Sequence, residues 1–152
     1  MSCNLFLEWT LLTHCMKKIF STKFPDFYSH LCLLFLRIAA GAFILTHGLP
    51  KLMRLTSGEE IKFADPFGFG PAFSLALAVF AEVFCSILII LGLGTRLASI
   101  PLIITMLVAA FHAHANDPFG TKEKPLLFFL IFVVFLVFGS GKYSLDSLVS
   151  KK

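Results

Sequence analysis

Residues 72–93 form an apolar run of twenty-two residues broken by one charge, Glu82, close to its centre. A helix needs about 20 apolar residues to cross the hydrocarbon of a bilayer, so this run is long enough to span. A carboxylate at mid-depth costs roughly 2.5–3.5 kcal/mol on insertion scales unless a neighbouring group answers it. The chain is therefore constrained twice: it folds in a membrane, and a second helix must bring Glu82 a partner.

The rest of the chain agrees with that solvent. Its 152 residues are 57% hydrophobic, and its nineteen Phe residues sit mostly in long apolar runs, without the polar face that a helix of a soluble domain keeps. The net charge of +4 comes from Lys and Arg placed at the ends of apolar runs. Scattered in that way they set topology rather than form a nucleic-acid surface, so no nucleic acid is expected as a partner. Cys3, Cys15, Cys32 and Cys85 make no C-x-x-C pair and no Cys/His ligand spacing, which argues against structural zinc and thiol redox chemistry.

The domain organisation follows. Residues 1–28 are an N-terminal extension without the charge order of a signal peptide. Two readings of it stand side by side: Met16 is the natural start, or Leu5, Trp9 and Leu12 build an amphipathic helix lying on the membrane surface. Residues 29–148 are the membrane domain, with spans expected at 31–49, 72–93, 96–115 and 125–138, and residues 149–152 are a tail. The expected fold is an all-α membrane protein, a four-transmembrane-helix bundle with two polar loops on one side and a tight turn at 92–96 on the other. The first span is expected to fray near His47, Gly48 and Pro50. Lys17, Lys18, Lys23, Arg96, Lys142, Lys151 and Lys152 lie on one side, against Lys51, Arg54, Lys62, Lys122 and Lys124 on the other. That excess favours both termini in the cytoplasm.

Helical spacing puts Ser74, Ala78, Glu82 and Ser86 on one stripe beside Cys85, and Arg37, Gly41, Ile44 and Gly48 on another beside Ala40. Small residues on both faces allow close helix approach. If Ala40, Glu82 and Thr105 mark mid-membrane, Arg37 lies about 5 Å to one side, and Arg37 with Glu82 becomes the expected intramembrane pair. It serves either to lock two helices or to handle a headgroup or a proton. On the same scale His47 and His112 share a level about 10 Å to the other side. With Lys51, His114 and Glu123 they would form an outer polar cluster, a candidate site for a quinone or a partner subunit. Facing histidines can hold a haem iron. Haem is nevertheless the less favoured occupant, and no metal site is expected, because His112 and His114 point to different sides of a helix.

Taken in order, these features resemble the DoxX family of small membrane proteins over about residues 31–148. The features are Arg37 in the first helix, His47-Gly48 with Lys51 at its end, Glu82 in the second helix, the Gly92-Leu93-Gly94-Thr95-Arg96 turn, His112, Glu123, and a closing Gly139-Ser140-Gly141-Lys142-Tyr143-Ser144-Leu145-Asp146. Relatives commonly carry Pro where this chain has Ser140. The resemblance implies a multi-pass inner-membrane protein, with some relatives tied to quinone-linked oxidation of sulfur compounds or to oxidoreductase complexes of redox stress. Three functions follow as expectations: an accessory subunit of an oxidoreductase system, a small transporter or proton-conducting bundle, or an assembly factor without catalysis. Whether the chain is itself an enzyme stays open at this point, as does homo-oligomerisation.

Overall fold

The computed structural model describes residues 25–58 and 60–150. Both readings of the N-terminal extension, the Met16 start and the surface helix on Leu5, Trp9 and Leu12, lie outside the described residues. So do Lys17, Lys18, Lys23, Lys151 and Lys152.

Four long helices, α1 (Asp26–Thr56), α2 (Pro71–Leu91), α3 (Thr95–Ala113) and α4 (Phe119–Phe138), are followed by a short α5 (Leu145–Val149). No strand occurs among the described residues. Helices α1, α2 and α3 are long and apolar enough to cross a membrane. Helix α4 spends its start on Lys122, Glu123 and Lys124, leaving a shorter apolar stretch from Pro125 onward.

Local sequence explains where each helix begins and stops. Helix α2 starts on Pro71, whose fixed φ suits a first helical position, and stops at Gly92 in the left-handed conformation with φ 69°. The three residues 92–94 then lead directly into α3. Helix α1 departs from expectation: it does not fray at His47 but continues through Pro50 to Thr56, 31 residues in all. At 1.5 Å per residue it is about 46 Å long, well beyond the hydrocarbon thickness. A proline removes one backbone hydrogen bond, a loss that packing on neighbouring helices and local adjustment let a membrane helix absorb without ending.

The core is small and apolar. Ala40 and Ile44 of α1, Ala81, Cys85 and Ile89 of α2, Leu102 and Met106 of α3, and Phe132 and Phe135 of α4 are all buried. Helix α1 packs along α2 and α3 along α4, in interfaces of similar size, and α2 also packs on α3. Phe35, Phe43, Phe84 and Phe111 point outward, a placement that costs nothing when the surrounding solvent is lipid.

One end of the bundle carries the tight α2–α3 turn, the start of α1 and the C-terminal segment. There the Asp146 amide donates to the Gly92 carbonyl at 2.9 Å, and the Lys142 amide donates to His30 Nδ1 at 3.3 Å. The Phe27 and Tyr143 rings meet edge to face at 6.4 Å. The connections α1–α2 and α3–α4 lie at the opposite end, so the first and last described residues share the turn end.

Candidate functional site

The two small faces meet. A side chain at Gly48 would collide with Val83 and with Glu82, and one at Gly41 would collide with Ile90 and the Ser86 carbonyl. Arg37, Ala40, Gly41, Ile44 and Gly48 are the buried residues of α1. Ser74, Ala78, Glu82, Cys85 and Ser86 are buried on α2. The faces are those that helical spacing indicates, but the axial register is different: Gly48, not Ala40, stands opposite Glu82. That is an offset of eight residues, about 12 Å.

The offset changes Glu82's partner. Lys51 Nζ donates to Glu82 Oε1 at 2.5 Å and to Oε2 at 2.7 Å. The Glu82 side chain is 4% exposed and that of Lys51 31%, so the pair is open on the lysine side only. The Phe63 ring, from the α1–α2 loop, lies 5.9 Å from Nζ, within reach of a cation–π contact. The expected Arg37–Glu82 pair does not form. Because α1 runs on past Pro50, Lys51 stays helical and comes level with Glu82, while Arg37 lies fourteen residues earlier, about 21 Å away along the helix.

Glu82 also sits in an altered stretch of helix. Residues Phe80–Cys85 form a π-helical turn, and a second π turn, Ala109–Ala113, ends α3 and contains His112. Such turns widen a helix locally and are frequent at functional sites. A π turn cannot be read from apolar spacing, since it is a single-residue shift inside an otherwise regular pattern.

The loop end is pinned by Asp65. Its carboxylate accepts from the Phe69 amide at 3.1 Å, the Gly70 amide at 2.8 Å and the Ser74 hydroxyl at 2.8 Å. The Ser74 hydroxyl first, and then the amides, hold the Asp65 carboxyl below the usual carboxylate range. This clasp fixes the loop that carries Phe63 over Lys51.

The rest of the expected outer cluster does not assemble. His47, His112 and Glu123 are exposed, and the side chain of none of them makes a hydrogen bond or ion pair among the described residues. His114 turns instead to Asp117 at 2.7 Å. Only Lys51 of the five reaches an intramembrane partner. The exposed positions follow from helix rotation: His47 lies on the lipid side of the face that Gly48 buries. No three His, Cys, Asp or Glu side chains converge among the described residues.

Arg37 belongs to a second polar level at the turn end. It is fully buried, its Nη2 donates to the Tyr143 carbonyl at 2.6 Å, and its Nε and Nη1 have no hydrogen-bond partner. The guanidinium occupies the space above Gly92 that any side chain would need. Next to it, Asp146 accepts from the Gly94 amide at 2.7 Å and the Thr95 amide at 3.2 Å, capping α3 from another part of the chain. Burial opposes the charge on Asp146, but these two amides and the Ser140 hydroxyl outweigh it and keep the carboxyl below its ordinary range. The closing motif of the sequence thus closes the bundle, and Asp146 is its keystone. Sequence spacing quotes Asp146 within a motif without assigning it a partner, because the amides it reads are fifty residues away.

A family model described as DoxX matches residues 32–115. The match covers α1 to α3 and leaves out α4 and the closing motif. Two uncharacterised proteins of Haemophilus influenzae (strain ATCC 51907 / DSM 11121 / KW20 / Rd) are similar over most of their length. One is 29% identical over 136 residues, covering 85% of this chain and 90% of the relative, and the other 32% over 130 residues, covering 79% and 92%. No solved structure matches.

Proposed function

The chain belongs to the DoxX family, and from that premise we propose that it is an integral membrane subunit of a quinone-linked or redox-stress oxidoreductase system. In this reading all four long helices span the inner membrane, with the turn end and both termini in the cytoplasm, as the excess of Lys and Arg on that side favours. The protein contributes a polar docking point inside the membrane, and a partner subunit contributes the electron carrier.

The Lys51–Glu82 pair is the observation that supports this. An ionised pair inside a span is costly and is commonly kept for a functional reason. Here one member is sealed and the other is reachable. Lys51 spends two of its three N–H donors on Glu82. The third is free to donate to a carbonyl oxygen, such as that of a quinone headgroup or of a partner's backbone. Glu82 holds Lys51 in place.

Purification from the native membrane in mild detergent tests the proposal, with optical spectroscopy and identification of bound quinones and proteins in the same sample. Quinone and a flavin- or haem-bearing partner are expected with the wild-type chain, and both are expected to be depleted when Lys51→Met and Glu82→Gln are combined. Partner without quinone would point to an assembly factor. A stoichiometric haem Soret band from the chain alone would overturn the division of labour.

A further inference from the structure

The segment that leads into α2 presents an exposed aromatic surface at the loop end. Phe67, Phe69 and Phe73 are each more than half exposed, and their rings form a continuous run: Phe67 and Phe69 lie 6.2 Å apart, and Phe69 meets Phe73 edge to face at 5.8 Å. Phe73 in turn heads the outward stripe of α2, where Leu77, Phe80, Phe84, Ile87 and Leu91 follow at helical spacing and are all exposed. From Phe73 to Leu91 that stripe is about 27 Å long, close to the thickness of the hydrocarbon, so Phe67 and Phe69 stand at its edge. No charge occurs between Asp65 and Glu82.

A loop can leave water for the edge of a bilayer only where its backbone donors are absent or already paired. This one is built that way. Pro66 and Pro71 have no N–H, the Phe69 and Gly70 amides donate to the Asp65 carboxylate, and the Gly68 amide supports the same charge. Gly68 and Gly70 have φ of 71° and 98°, and they make the turn in which the Phe67 and Phe69 rings come together.

We propose that residues 66–70 are a membrane anchor, with Phe67 and Phe69 inserted at the boundary between headgroups and acyl chains of the leaflet on the loop side. The partner is lipid rather than a second protein, because the two rings continue the α2 stripe that faces lipid without a polar residue between the two surfaces. The Asp65 clasp links this anchor to Phe63, two residues earlier, which stands over Lys51. The inference needs only the membrane setting and is independent of any redox role.

The test uses the full chain in phosphatidylcholine vesicles, with Trp9→Phe as the background because Trp9 is the one tryptophan of the sequence. Phe67→Trp and Phe69→Trp are made separately, so that one variant still reports if the other does not fold; both positions are exposed and have room for the larger ring. Each is expected to lose most of its fluorescence to lipids brominated near the headgroup end of the acyl chains. Lipids brominated near the chain ends should quench less, and iodide present on both sides of the membrane should quench little. Quenching by iodide without quenching by brominated lipid would put the loop in water and overturn the assignment. Protection from both quenchers would overturn it as well, and protection that disappears when the protein is diluted in lipid would give the patch to a second copy of the chain.

Discussion

Lys51 and Glu82 are the residues on which the interior depends, and they are unequal. Removing Lys51 leaves a carboxylate sealed in the α1–α2 interface, whereas removing both charges leaves only a change of shape. Breaking a fully buried pair costs roughly 3–5 kcal/mol, less where one member reaches solvent, as Lys51 does here. Lys51→Met alone should therefore lower the melting temperature in detergent more than the Lys51→Met, Glu82→Gln double substitution does. A double-mutant cycle that comes out additive would show that the pair carries no coupling. A second residue-scale prediction concerns acid. Asp65 and Asp146 both have folded carboxyl pKa values below the ordinary value of about 3.9. Their contribution is thus complete above that value and is lost as pH falls through the lower, folded one. Hydrogen exchange at the Gly94 and Thr95 amides should accelerate as pH drops below about 4, beyond the intrinsic pH trend of exchange. Asp146→Asn should show fast exchange already at neutral pH.

At the scale of elements, the glycines decide how closely helices approach. Gly48 faces Glu82 backbone and side-chain atoms at 3.0 Å from where a Cβ would sit, and backbone cannot swing aside. Gly48→Ala should push α1 off α2 and cost about 1–3 kcal/mol, the range for overpacking a fitted interface. A crosslinking or melting measurement that finds the variant unchanged would refute the register described here. Gly92 is constrained twice, by its positive φ and by the Arg37 guanidinium lying in the space of a side chain. Gly92→Ala should release the closing segment, visible as proteolysis between residues 139 and 149. These contacts also mark how far the sequence is legible. Helical period tells which residues share a face, and the stripes through Glu82 and through Gly41 and Gly48 are the faces that meet. Period carries no axial coordinate, so reading Pro50 as a helix end slid α1 by two turns and gave Glu82 the wrong cation. The outer histidine cluster failed for a related reason: matching depth does not imply matching rotation, and His47 and His112 are turned outward. Asp146 could be found only through contacts distant in sequence, although its neighbours Gly94 and Thr95 belong to a recognisable turn.

For the molecule as a whole, two polar levels stand about 21 Å apart along α1, one at the loop end and one at the turn end. Ala40, Ile44, Ala81, Cys85, Ile89, Leu102 and Met106 fill the space between them. Ser86 is the one buried polar side chain of α2 in that interval, and its hydroxyl has no partner. A proton leaving Glu82 toward the turn end would have to cross a packed apolar layer in which the buried hydroxyls of the described residues are Ser86, without a partner, and Ser99, bonded to the Thr95 carbonyl at 2.7 Å. Proton relays run instead through chains of Asp, Glu and His facing a wet interior. A single copy of the bundle should therefore hold a pH gradient. Reconstituted into proteoliposomes at one copy per vesicle, wild type and Glu82→Gln should leak protons at the same rate as empty vesicles under an imposed potential. A leak in wild type that Glu82→Gln abolishes would overturn the proposed docking role in favour of conduction. A leak that appears only at high protein density would place the pathway between copies, where the exposed His47 and His112 face outward. The two levels differ in build: on the proposed reading the Lys51–Glu82 level offers a donor, whereas the Arg37–Asp146 level fastens the helix ends.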